Sequence, residues 1–242
     1  MADRRAELQA NLAAVHERIA TACDDAGRDP AEITLVAITK FFPSSDVVHL
    51  VDLGVRHVGE NKDQEAGAKV AELPAEVREL LTVHFVGQLQ SNKAAHVARY
   101  ADVVQSVDRT KIVKALDRGT GTALGEGGRH TPLEVTIQVD LGEGADAGRG
   151  GAAPADVPAL ADAVAATEHL RLRGVMAVAP LGLDEDGTAA AFQRLADLSS
   201  RLRSDHPDAT WISAGMSGDL ETAVTHGATH LRVGTGILGT RR

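Results

Sequence analysis

The sequence predicts an α/β protein built as a single (β/α)8 TIM barrel, and three observations carry that prediction. Eight strand-like runs alternate with helical segments along the 242 residues. Most of these runs are continuously apolar, the pattern of parallel strands covered on both faces. Polar and glycine-rich residues gather just beyond the carboxyl ends of the runs, where barrels of this class carry their functional groups.

The strand-like runs are TLVAIT (34–39), RHVGE (56–60), VHFVG (83–87), DVVQSV (102–107), LEVTIQVDL (133–141), LRGVMAV (172–178), TWISAG (210–215) and HLRVGTGI (230–237). Between them, residues 188–204 place Phe192, Leu195, Leu198 and Leu202 on one helical face. The shorter stretch 47–53 ends at Gly54, a plausible helix stop. Only Leu238, Gly239, Thr240, Arg241 and Arg242 follow the eighth run, so no eighth helix is expected after it. The chain begins instead with a helical stretch, 4–26, whose apolar stripe is Leu8, Leu12, Val15 and Ile19. This N-terminal helix is the spare element able to cover the last strand, in place of the missing C-terminal helix.

Composition narrows the class. Hydrophobic residues make up 43% of the chain but aromatics only 2%, so the core must be Val, Leu, Ile and Ala. The 34 acids against 25 bases give a net charge of −9, which argues against a nucleic-acid surface without excluding a local anion pocket. One cysteine, Cys23, rules out an intramolecular disulfide framework, suits a reducing compartment and reads as a small core residue. No secretory leader or membrane-length apolar run is visible, so a soluble cytoplasmic protein is expected. Two glycine-rich stretches, 119–130 and 142–151, read as surface loops. The spacing Gly142-x-Gly144-x-x-Ala147 imitates a dinucleotide fingerprint, but no helix is expected to follow it. His226 and His230 have a metal-like spacing but would not share one helical face, and no metal site is expected.

Lys40 is the most informative residue. It closes the first strand-like run, where burial disfavours its charge and makes the amine a candidate nucleophile for a carbonyl. The same position suits a lysine whose tip simply reaches solvent. Glu60 and Asn61 end the second run, and Gln88, Gln90, Ser91 and Asn92 follow the third. Met176 lies late in the sixth, and Ser213, Met216 and Ser217 close or follow the seventh. Ser217 is expected to cap the next helix, whose N–H groups favour an anion, and Gly234 and Thr235 add a second set of donors. Arg232, inside the eighth run, needs a partner: a structural acid or a ligand acceptor both serve.

The motifs VAITK (36–40), VGEN (58–61), HFVGQLQSNK (84–93), RLRGVMAV (171–178), SAGMSGD (213–219) and RVGTGILG (232–239) give the chain, over nearly its whole length, a resemblance to the pyridoxal-phosphate homeostasis proteins, the YggS/PROSC family. That family resembles the barrel domain of alanine racemase. The resemblance implies one pyridoxal 5′-phosphate (PLP)-binding domain over residues 1–242, with Lys40 forming the internal aldimine. It implies that Ser217, Gly234 and Thr235 hold the phosphate, with Ser213 and Met216 nearby, Asn61 near the ring and Arg232 facing the pyridine nitrogen. Two positions depart from the pattern: Lys62-Asp63 replaces an aromatic or basic residue followed by Val, and Ala214 stands where Met is common. A permanently charged arginine at that nitrogen makes the ring a poor electron sink. The resemblance therefore implies a carrier acting in intracellular PLP homeostasis without robust catalysis, monomeric, with apo PLP-enzymes as possible recipients. An amino-acid racemase and a scaffold regulated by PLP are the competing readings. Two-base racemisation needs a second acid/base group, and Tyr100, the only tyrosine, is expected at the amino end, away from the mouth.

Overall fold

The computed structural model describes residues 4–142 and 150–240. Its strands are β1 (Thr34–Ile38), β2 (His57–Glu60), β3 (Thr82–Phe85), β4 (Val103–Val107), β5 (Leu133–Gln138), β6 (Leu170–Met176), β7 (Trp211–Ser213) and β8 (His230–Val233). They close into a parallel barrel in chain order, with β8 returning to β1 through the pairs Thr34–His230 and Val36–Arg232. The predicted barrel is therefore the observed one.

Helices wrap the wall: α1 (Arg4–Asp25), α2 (Ser44–Asp52), α3 (Asp63–Glu72), α4 (Ala75–Glu79), α5 (Ala94–Tyr100), α6 (Thr110–Gly125), α7 (Val157–Ala165), α8 (Glu185–Asp205), α9 (Leu220–Thr225) and α10 (Thr235–Leu238). The expected stripe of α1 is buried, with Leu8, Leu12, Val15, Ile19, Ala22 and Cys23 all facing inward. This helix packs on α2, α9 and α10 and so covers the β8–β1 seam. Polar side chains fix its seat. Arg4 grips the Asp46 carboxylate through Nε and Nη2, at 3.1 and 2.7 Å to Oδ2, and Asn11 donates to the Ile237 carbonyl at 2.9 Å. Arg18 pairs with Glu221 and donates to the Ser217 carbonyl.

Two expectations are corrected. The glycine-rich stretch 119–130 is largely helical, because α6 runs on to Gly125. Gly119 is there for closeness: a Cβ on it would lie 2.7 Å from the Ala95 Cα, so α5 and α6 touch backbone to backbone. The eighth strand stops at Val233, and 235–238 form the one-turn helix α10 rather than more strand. Of the second glycine-rich stretch, residues 143–149 lie outside the described residues, and with them Gly144 and Ala147.

The barrel lumen is more polar than the outer layer. Val36, Ile38, Val103 and Met176 supply its apolar part. Its polar part includes the half-buried His57 and the buried His84, Gln105, Ser213, His230 and Arg232. Among the described residues, no helix is long and apolar enough to cross a membrane.

Candidate functional site

The β1 ladder ends one residue earlier than the sequence suggested. Thr39 still donates to the Gly59 carbonyl, but Lys40 lies in a turn and its side chain is exposed. The desolvation expected at Lys40 is therefore absent: Phe41, with φ of +69°, swings the chain out of the wall just beyond it. Lys40 is instead a reachable amine at the mouth, its Nζ 6.0 Å from the centre of the Phe41 ring, which also carries the Lys62 ammonium at 4.9 Å.

The residue before Lys40 is held from two sides. Thr39 donates its hydroxyl to Glu60 Oε1 at 2.6 Å, and Lys69 on α3 donates to the Thr39 carbonyl at 2.7 Å. Lys69 and Glu60 themselves form a buried ion pair at 2.5 Å. Glu60, expected among the mouth groups, thus turns outward into the wall. Lys69 was missed because a lysine inside an amphipathic helix reads as a solvated charge; only the fold brings it to Glu60. Asn61, one residue on, is partly buried and its Oδ1 has no hydrogen-bond partner.

Strands β7 and β8 bring the remaining candidates together. Gly215 turns the chain at φ +90°, where a Cβ would also meet Ala223 and Leu231 within 2.8 Å. Asp219, not Ser217, stands at the cap position of α9, but its side chain makes no capping bond and turns back, Oδ1 accepting the Met216 N–H at 2.6 Å. Relieved of capping, Ser217 Oγ accepts from the Gly236 N–H at 3.2 Å and from Thr235 Oγ1 at 3.1 Å. Two hydroxyls and a backbone N–H therefore converge between the loops after β7 and β8. Gly234 lies against Ile38, two residues before Lys40, so the β8 and β1 ends are neighbours. Met216 sits partly exposed on the rim.

Arg232 answers the question the sequence left open. It is buried, and among the described residues no carboxylate pairs with it. Nη1 donates to Ser213 Oγ at 2.6 Å and Nη2 to the Ala177 carbonyl at 2.7 Å. Burial pushes its pKa down to about 10, opposed by the charge of Asp219, and the group stays a cation at neutral pH. Beneath it, Ser213 donates to Gln105 Oε1 at 2.7 Å, Gln105 Nε2 meets His84 Nδ1 at 2.8 Å, and His84 Nε2 meets His57 Nδ1 at 3.0 Å. Burial holds all three lumen histidines below their ordinary range, with His84 far below and His230 down to about 3. His84, read as structural, is indeed inside the wall. Gln105 was missed; its polar side chain within the run DVVQSV was the available signal.

Tyr100 ends α5, and its ring rises between α5 and α3 so that the hydroxyl lies 3.5 Å from Asp63 Oδ1. It is buried behind the wall rather than at the mouth, and burial raises its pKa far above the ordinary value.

The family model described as alanine racemase, N-terminal domain, matches residues 10–242. The pyridoxal phosphate homeostasis protein of Mycobacterium tuberculosis is 46% identical over 248 residues, spanning 99% of this chain and 95% of that protein. PipY of Synechococcus elongatus PCC7942, solved with PLP bound, superposes with a TM-score of 0.76 at 34% identity, over 93% of this chain and all of that one. A protein from Bifidobacterium adolescentis solved without an assigned function superposes with a TM-score of 0.88 at 28% identity, over 98% and 97% of the two chains. On these matches and on the geometry above, this chain belongs to the pyridoxal phosphate homeostasis protein family, within the alanine racemase N-terminal domain fold.

Proposed function

We propose that this chain is one PLP-binding barrel domain, 1–242, that holds PLP in the cytoplasm as a monomeric carrier and releases it to apo PLP-enzymes. The observation that carries the reading is a buried arginine without a carboxylate, beside two hydroxyls and a backbone N–H, at the same mouth as an exposed lysine. The residues fit the cofactor. Ser217, Thr235 and the Gly236 N–H offer a phosphate the donors it needs, with Gly234 leaving the β8–β1 corner open. The unpartnered Asn61 Oδ1 and the partly engaged Arg232 are buried polar groups suited to an ordered ligand. When bound, PLP supplies an aldehyde for an amine and a conjugated pyridine ring.

Lys40 offers that amine, and the grip of Lys69 and Glu60 on Thr39 steadies its turn. Arg232 would face the ring nitrogen as a cation, which leaves that nitrogen an acceptor and the ring a weak electron sink. Met216 lines the approach, while Ser213, buried beneath Arg232, holds the guanidinium. Such a site binds without driving proton loss from an amino acid. Tyr100, behind the wall with its pKa raised, is not placed to act as a base on a mouth-bound substrate. The test pairs two assays on PLP-loaded protein. Activity should return when it is mixed with an apo PLP-enzyme, and the α-proton of D- or L-alanine should not exchange with deuterium. Fast, stereochemically scrambling exchange would put a racemase first.

A further inference from the structure

The hydrogen-bond column beneath Arg232 has a direction, and the direction follows from its chemistry. A guanidinium only donates, so Ser213 Oγ accepts from Arg232. The serine hydroxyl then donates to Gln105 Oε1. This leaves the Gln105 amide N–H to donate to His84 Nδ1. A neutral His84 must therefore carry its proton on Nε2 and donate to His57 Nδ1. The reversed column fails at one atom. If Gln105 donated to Ser213, the serine oxygen would accept twice and its own hydrogen would need another acceptor. Ser213 is fully buried, and Oγ has no third hydrogen-bond partner among the described residues.

In the allowed direction every group turns its negative end toward Arg232: the serine oxygen, the amide oxygen and the His84 Nδ1 lone pair. A buried cation normally needs a carboxylate, which would neutralise it. Here aligned neutral dipoles take that place. Thr136 anchors the main chain that carries the column, donating its hydroxyl to the Gln105 backbone carbonyl at 3.1 Å.

We propose that Gln105 and His84 are positioning residues for Arg232, acting through Ser213 as a substitute for a counterion so that the guanidinium is fixed in place while its charge stays available at the mouth. They touch no ligand. The inference rests on the PLP reading for what Arg232 faces, but not for the column itself.

The test has two arms. In ligand-free native protein, long-range nitrogen–proton NMR of the imidazoles should find His84 neutral with its proton on Nε2. The Nδ1–H form, or an imidazolium, would overturn the proposal without any variant having to fold. In PLP-loaded protein, Gln105→Met removes the acceptor for Ser213 and the donor to His84, and PLP should leave about fivefold faster or more, the effect of one hydrogen bond. Gln105→Glu keeps the acceptor for Ser213, so release should return to within about twofold of native while His84 shifts its proton to Nδ1. Native release from Gln105→Met, or a Gln105→Glu variant as leaky as Gln105→Met, would contradict the positioning role. Failure of native protein to bind PLP would sink the functional reading and leave the His84 result standing on its own.

Discussion

Replacing Thr235 by alanine removes one of the three donors gathered between β7 and β8. Thr235 Oγ1 is 3.1 Å from Ser217 Oγ, which in turn receives the Gly236 N–H at 3.2 Å. A dianionic phosphate seated there would take all three as charge-assisted hydrogen bonds. Each is worth about 1.5–3 kcal/mol, so Thr235→Ala should weaken PLP binding by roughly 10- to 150-fold. Ser217→Ala removes a second of the three donors and should cost a similar amount. The assay is equilibrium binding followed by the absorbance of bound PLP, with pyridoxal, which lacks the phosphate, as the control ligand. For pyridoxal both variants should match the native protein. Unchanged PLP affinity in Thr235→Ala, or an equal loss for pyridoxal, would refute the phosphate seat.

Other parts of the molecule yield further expectations. Leu8 on α1 is fully buried, so Leu8→Ala should cost about 2–5 kcal/mol in urea unfolding, whereas Glu17→Ala on the exposed face should stay within about 0.5 kcal/mol; similar midpoints for the two would mean that α1 does not seal the β8–β1 seam. Lys69→Met strands the Glu60 carboxylate in the wall and should destabilise the barrel by about 3–5 kcal/mol; a Glu60→Gln, Lys69→Met double variant should recover part of it, and no recovery would count against the pairing. His84 and His230 are held neutral in the fold, His230 with its pKa down at about 3, against an ordinary value of 6.5. Below pH 6.5 the unfolded chain takes up protons that the folded chain refuses. Their contribution to stability is therefore level above that pH and lost as pH falls toward about 3. For His230 the loss should reach about 2 kcal/mol at pH 5, and His84 adds to it in the same direction. An unchanged urea midpoint between pH 7 and pH 5 would contradict it.

The barrel was legible because its signal is periodic. Runs such as TLVAIT are apolar on both faces, and the α1 stripe at Leu8, Leu12, Val15 and Ile19 marks the face that packs inward. What the sequence obscured is local geometry. A serine two residues before an aspartate reads as a cap, yet Asp219 reaches the Met216 N–H and leaves Ser217 for the β8 loop. The run HLRVGTGI does not announce that its last three residues begin a turn of helix. The exposure of Lys40 depends on the left-handed Phe41, a backbone state no apolar pattern encodes. Contacts between distant segments are the least legible. The Lys69–Glu60 pair and the His57–His84–Gln105–Ser213 column join residues whose separation in sequence carries no hint of contact. Once the strands are placed in register, inward-facing His and Gln positions become a readable signal.

The most direct measurement of the central claim is chemical. PLP is added to the purified protein, the absorbance near the visible edge is recorded, and the complex is reduced with borohydride and mapped by peptide mass. The account requires a band that vanishes in Lys40→Ala and a pyridoxyl group fixed on Lys40. A label on Lys62 or Lys93 with Lys40 unmodified, or a native-strength band in Lys40→Ala, would contradict it.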